Sequence, residues 1–483
     1  MDAGHLLWED RTLYQRRFEK SAAALVAVAR AVEQNPRPAD ADDFVALYEV
    51  LAAADAEHFS RVWRDPVAYH WVRRAVQLLA SRRGAPLSRF DRAYCAALGA
   101  ANPDDALAVH LRAFARFVLG LGLVAGRDVA LATSYDTMLP LALPGTELAI
   151  TGAGRVSVGG VTDGAIDVVH GGDRIRLRSD AASPAGGPRL VRCPAVNVGE
   201  ARVVLNPHVF QLPGLGMPRD LTVTDGAEPQ ANLAEALRIL QRFHPLAFMH
   251  FASAIGVVAL KEVGEGDFGT LSNSELPGAF VCSLPSDPYA LAADFIHELY
   301  HNRLFAIEET GAFFEADGED AIEGELHYSP WRDALRPLHG LLHAVYVYLP
   351  VYRFWSDSYR ANVHEGVRRD HVRDQLARVP AQLRIGVNQL RRHARFTALG
   401  AALFEEIARE ASRTEDEAAE LGATLDAAAV SLRASGVFQA VHERGRPLSV
   451  GETLLAHLRR CDVRGECTEE AAFLEAGLAR PPR

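Results

Sequence analysis

The sequence predicts an α+β protein in which helices dominate, and three observations carry that expectation. Ala, Leu and Arg recur at helical spacing up to about residue 125 and again beyond 335, as in "AAALVAVARAVEQ" and "HLRAFARFVLGLG". Short Val/Ile/Leu runs separated by Gly, Asp and Pro fill about 127–225, the texture of strands and turns. Two strand-like segments then precede "SDPYALAADFIHELYHNRLFAIEE", whose apolar stripe has a helical period.

In chain order, residues 1–126 form an N-terminal helical region, broken at "RGAPLS" and at "ANPDD", the latter a helix start. Residues 127–225 form a small β-rich region in which "DAASPAGGPR" (180–189) is a polar loop. Residues 226–410 are expected to be the catalytic domain. There "ANLAEALRILQRFHPLAFMHFASAIGVVAL" restores helical spacing and "FGTLSNSELPGAFVCSL" gives two strands. Ser286 or Asp287 caps the next helix, Pro288 takes its first position, and Leu291, Phe295, Ile296 and Leu299 make its apolar stripe. "RPLHGLLHAVYVYL" reads as a helix begun near Pro337, and 411–483 as a C-terminal helical region with an acidic stretch, "TEDEAAELGATLDAAA".

Composition narrows the function classes. With 483 residues and 49% hydrophobic content the chain can bury substantial cores. A net charge of -11 gives no support to nucleic acid as a partner, and "VRRDHVRDQLARV" (367–379) reads as one solvated helix face. Cys95, Cys193, Cys282, Cys461 and Cys467 are odd in number and scattered, so no disulfide framework is expected. The start "MDAGHLLWEDRTLYQRRFEK" lacks the apolar core of a signal peptide, and no later segment suggests a membrane span, which points to a cytoplasmic protein.

The chemistry centres on His297-Glu298-Leu299-Tyr300-His301, a match to H-E-x-x-H inside the capped helix. Positions four apart share a helix face, so His297 and His301 can hold one metal ion while Glu298 leans towards its ligand. Strands just before such a helix are what a zincin-like domain shows. A site needs a third ligand. The carboxylate choices are Glu315, Glu323 and Glu325, the imidazole choices His327, His339 and His343, and spacing does not decide between them. In "YSPWRDALRP" (328–337), Arg332 and Arg336 are four apart and suited to gripping a carboxylate, or else are structural partners of nearby acids.

At these residues the chain resembles the HEXXH-motif domain proteins found beside ribosomally made peptide natural products, the α-ketoglutarate-dependent HExxH-type peptide β-hydroxylases. "HELYH" and, more specifically, "YSPWRDALRPLHGLLHAVYVYL" (328–349) carry the resemblance, with "LSNSELPGAFVCSL" before them; it covers about 240–360. The resemblance implies Fe(II) on His297, His301 and His343, with α-ketoglutarate and O₂ as co-substrates and a precursor peptide as substrate. Other peptide-maturation enzymes are implied as further partners. Ser329, Arg332 and Arg336 are assigned to the co-substrate by their chemistry at matching positions. Glu298 then orients a ligand or holds substrate. The alternatives are a gluzincin-type zinc metallopeptidase with Glu298 as general base, and a peptide-binding maturation partner with a structural metal.

Overall fold

The computed structural model describes residues 12–34, 38, 40–179, 187–215, 221–222, 227–261, 269–283, 287–315, 326–332 and 334–424. About 59% of the described residues are helical and 19% lie in strands of several small sheets, so the mostly helical α+β class holds.

Seven helices come first: α1 Leu13–Glu33, α2 Ala41–Ala52, α3 Ala56–Trp63, α4 Pro66–Arg82, α5 Arg89–Ala97, α6 Pro103–Arg112 and α7 Ala115–Ala125. Their starts are written locally. Asp55, Asp65 and Asn102 each accept a first-turn N–H, and Ser88 with Asp91 closes a capping box. Phe44, Trp63, Trp71, Phe114 and Phe117 pack at their centre, with the Trp71 and Phe114 rings 4.8 Å apart. The stretch Pro103–Ala125 is long and apolar enough to cross a membrane by length and composition, but 67% of its most apolar window is buried inside the protein.

Strands follow. β1 Val129–Met138, β4 Arg155–Thr162, β5 Ala165–His170 and β6 Asp173–Leu177 form an antiparallel sheet in that order. β2 Leu141–Ala142, β3 Leu148–Thr151 and β7 Arg189–Arg192 form another. After β8 Ala195–Val198, β9 Ala201–Leu205 and β10 Leu221–Thr222 come α8 Ala227–Phe243, α9 Pro245–Ala254, β11 Val257–Lys261, β12 Leu271–Ser272 and β13 Ala279–Ser283. These strands make a six-stranded sheet, β12-β13-β11-β9-β8 with β10 beside β11. β9, β11 and β13 are parallel, and β12 lies antiparallel at the edge. The expected β-rich region and the expected catalytic domain therefore share one sheet.

That sheet is buried on both faces. Val257, Ala259, Ala279 and Val281 enter the core of the N-terminal helices, while Val258, Leu260, Phe280 and Cys282 enter the core of the later ones. Burial on both sides explains why "VVAL" and "AFVCS" are continuous apolar runs. The chain continues with α10 Pro288–Glu308, the hairpin β14 Leu326–Ser329 and β15 Ala334–Pro337, then α11 Leu338–Arg360, α12 Gly366–His393 and α13 Ala398–Thr424. The boundary expected near 410 falls inside α13. The segment 367–379 is more buried than a solvated face: Val372, Leu376 and Val379 enter the core, and Asp374 pairs with Arg378 there. Cys95, Cys193 and Cys282 are buried free thiols; Cys461, Cys467 and most of 180–189 lie outside the described residues.

Buried histidines should make the fold acid-sensitive. Burial lowers His110 to about 3, against the opposing contact of the Trp71 carbonyl, and lowers His244 to about 4, each from 6.5. The unfolded chain takes up these protons near 6.5 while the folded chain does not. Their contribution is complete above that pH and is lost as the pH falls towards 4 and then 3. Urea midpoints should drop steadily between pH 7 and pH 4; a flat profile would contradict this.

Candidate metal centre

Asp287 caps α10 by accepting from the Tyr289 N–H (3.1 Å), and Pro288 opens the helix, as expected. Phe295 packs on Phe251 and Phe280 (ring centres 5.2 and 5.6 Å apart), which sets the helix against the sheet. The opposite side of α10 then carries His297 and His301 towards α11 and the hairpin.

The two motif histidines meet as the spacing predicts. Their Nε2 atoms are 3.1 Å apart, and two ligands of one ion at about 2.0–2.1 Å from it sit roughly 3.0–3.3 Å from each other. Burial holds His297 at about 4, aided by Arg332, and His301 well below its ordinary value, so both rings are neutral at pH 7 with lone pairs to give. The donor set fits a divalent transition metal.

His343 on α11 stands next in line, its Nδ1 3.0 Å from His301 Nδ1. Its Nε2 faces a Glu308 oxygen at 3.5 Å, and His339 Nε2 is 2.5 Å from the same oxygen. Contacts from His339 and His343 hold the Glu308 carboxyl low although its burial works the other way. His301 thus shows one nitrogen to His297 and the other to His343, so the three expected ligands form a row and do not, as placed, cap a single point. Glu308, His339 and His343 have ligand atoms within 4.8 Å of one another, the one group of three such residues found among the described residues.

Glu308 was not a sequence candidate. It lies seven residues past His301 and eleven past His297, three helical turns along the same face, and that periodicity was the available signal. Of the other candidates, Glu315 is exposed and its N–H bonds the Arg395 carbonyl. His327 is buried against His393. Glu323 and Glu325 lie outside the described residues.

Glu298 is 1% exposed and turned towards β12. Asn302 Nδ2 donates to Ser272 Oγ (3.0 Å), and the Ser272 hydroxyl in turn donates to the Glu298 carboxylate. Burial raises Glu298 to about 7, against hydrogen bonds from Ser272 and Thr270. Burial likewise raises neighbouring Asp294 to about 8, with Glu298 adding to it.

Within "YSPWRDALRP", Tyr328 and Ser329 end β14 and Ala334–Pro337 form β15, a hairpin that the sequence reading did not foresee. Gln382 Nε2 donates to the Pro330 carbonyl (2.9 Å), and Trp331 stacks on Tyr348, whose ring also meets His297. Arg332 acts electrostatically on His297 and His301, and Arg336 on His301 and His343. Ser329 is fully buried, and its Oγ has no hydrogen-bond partner among the described residues.

Gly386 on α12 lets this turn seat. A Cβ there would come within 2.6 Å of Val345 Cγ2 and 2.7 Å of Trp331 Cη2. Gly386→Val should destabilise the fold by roughly 1–3 kcal/mol through overpacking and displace the turn. Thermal denaturation reads the loss of stability; an unchanged melting temperature would refute the packing argument.

Comparison with known proteins gives no match: no family model fits the chain, and no curated protein is similar to it in sequence.

Proposed function

We propose that the protein is an Fe(II)- and α-ketoglutarate-dependent hydroxylase acting on a ribosomally made precursor peptide, built on a zincin-like metal helix. One observation carries this reading: the Nε2 atoms of His297 and His301 lie 3.1 Å apart, and both Arg332 and Arg336 act electrostatically on the His301 ring. Two guanidinium groups suit the distal carboxylate of a dicarboxylate co-substrate. In this reading His343 supplies the third nitrogen, joining the others by a turn about its broad terminal torsion. Glu308 receives its other ring N–H, as carboxylates do behind metal-bound histidines.

Iron with α-ketoglutarate and O₂ supplies an oxidative decarboxylation in which CO₂ leaves, one oxygen atom enters succinate and the other enters a C–H bond of the peptide. The chain's own residues bind and orient. Arg332 and Arg336 fix the co-substrate's distal carboxylate, Ser329 Oγ offers it a hydrogen bond, and Trp331 and Tyr348 shield the ion's side from water. Glu298 ties α10 to β12 through Ser272, holding the metal helix in register with the sheet edge.

One observation favours a second reading. A buried carboxyl raised to about 7 beside two metal-ligating histidines suits the general base of a zinc peptidase. Co-expression with the precursor peptide, followed by intact-mass measurement, separates the two. The hydroxylase adds one oxygen only when α-ketoglutarate is present, and Glu298→Gln keeps measurable turnover. Cleavage independent of α-ketoglutarate, abolished in Glu298→Gln, would establish the peptidase instead.

A further inference from the structure

A cavity of about 320 Å³ lies between α4–α7 and the sheet strands β1 and β4, on the other side of the six-stranded sheet from the metal centre. Its size is that of a small-ligand site. Arg112, Arg116 and Arg155 line it with Asp136; Arg112 is also paired with Asp40 (3.4 Å), and the buried Asp65 interacts electrostatically with Arg116.

The polar groups on its wall divide into two kinds. His110 is fully used: Nε2–H donates to the Trp71 carbonyl (2.8 Å), which leaves Nδ1 to accept from the Tyr94 hydroxyl (2.6 Å). His70, 4% exposed, has its Nδ1 engaged with a Glu275 oxygen at 3.4 Å, while its Nε2 has no hydrogen-bond partner among the described residues. Both ring nitrogens of His208 and the Nε of Arg116 are also buried without a partner. Arg116 is held in place from its far end, where Nη2 donates to the Tyr135 hydroxyl at 3.0 Å. Folded proteins pair almost all such atoms, and among the described residues these have no partner, so a bound ligand would complete them. Water could satisfy neutral imidazoles, but the buried Nε of Arg116 suits an anion. A single part-buried guanidinium among neutral histidines and apolar walls such as Trp71 and Leu141 suits a planar monoanion better than a doubly charged phosphate.

We propose that this cavity binds a carboxylate, either of a free small acid or of an acidic side chain in a bound peptide, with Arg116 as its anchor and His70 and His208 as hydrogen-bonding walls. The full-length protein is titrated with glutarate and with N-acetyl-Ala-Glu-Ala-amide, following Trp71 fluorescence against a Trp71→Phe control and stoichiometry by calorimetry. Glutaramide and the Gln tripeptide serve as neutral controls and inorganic phosphate as the rival anion. The expected result is one equivalent of at least one carboxylate probe bound, weakened about tenfold or more by Arg116→Gln, as the loss of a charge-assisted hydrogen bond implies. Arg332→Ala should leave this binding unchanged. Glutarate alone binding identifies a free acid, and the tripeptide alone identifies an acidic side chain. Should Arg116→Gln fail to fold, Arg155→Gln at the exposed rim gives the same test with a smaller loss, about threefold. The proposal falls if neither carboxylate binds, if the neutral controls or phosphate bind as well, or if binding survives both cavity variants while Arg332→Ala abolishes it.

Discussion

On the proposed reading, replacing His301 by alanine is expected to leave a folded protein that cannot retain iron. His301 occupies the middle of the row, giving Nε2 to the position shared with His297 and Nδ1 to His343. Residues that merely orient a metal ligand cost about 10–100-fold in affinity when removed, so the loss of a ligand itself should exceed about 100-fold. The same loss is expected for His343→Ala if its ring joins the other two. If His343 only accepts a proton from His301 and passes its own to Glu308, the loss should stay inside the 10–100-fold range, with Glu308→Ala behaving alike. Glu315→Ala should keep its metal, since that side chain is exposed and stands outside the cluster. Elemental analysis and iron titration across the set read these differences directly. A His301→Ala protein still loaded with iron would remove the basis for the centre altogether.

What could be read in the sequence follows from how local each signal is. Asp287 and Pro288 act within one turn, so the start of the metal helix was visible and lies where the capping pattern put it. Strand β13 was visible as an apolar run, whereas "GVVAL" reads as the end of a helical stretch and is strand β11; the burial of both strands on two faces depends on helices from opposite ends of the chain. The share of the β-rich region in that sheet also had no local mark: β9 meets β11 across some fifty residues that hold two helices. The hairpin at 326–337 escaped because Pro330 and Trp331 look like a loop, and its strands exist through pairing such as His327 with Arg336. Glu308 was legible by period but lies outside the five-residue motif that drew attention. His70 and His208 are far apart in the chain and meet only in the folded protein.

Arg332→Ala and Arg336→Ala should separate co-substrate binding from metal binding. Each variant is expected to keep its iron, because neither side chain offers a lone pair to a metal. Each should lose α-ketoglutarate affinity by about 10–150-fold, the span that a hydrogen bond to a charged group of roughly 1.5–3 kcal/mol implies. Arg336 is half-buried along α11, its guanidinium nitrogen 4.0 Å from where a Cβ on Gly340 would stand, whereas Arg332 is exposed at the hairpin turn. Desolvation strengthens the more enclosed contact, so Arg336→Ala should show the larger effect, and Arg336→Lys should recover only part of it because an ammonium cannot form the paired fork. The double variant should lose less than the product of the two single effects, since both groups act on one carboxylate. The measurement is the α-ketoglutarate dependence of succinate formation at saturating iron. If both variants matched the wild type in KM, the hairpin arginines would be structural, and the site would have to be read as a metal centre without a dicarboxylate partner.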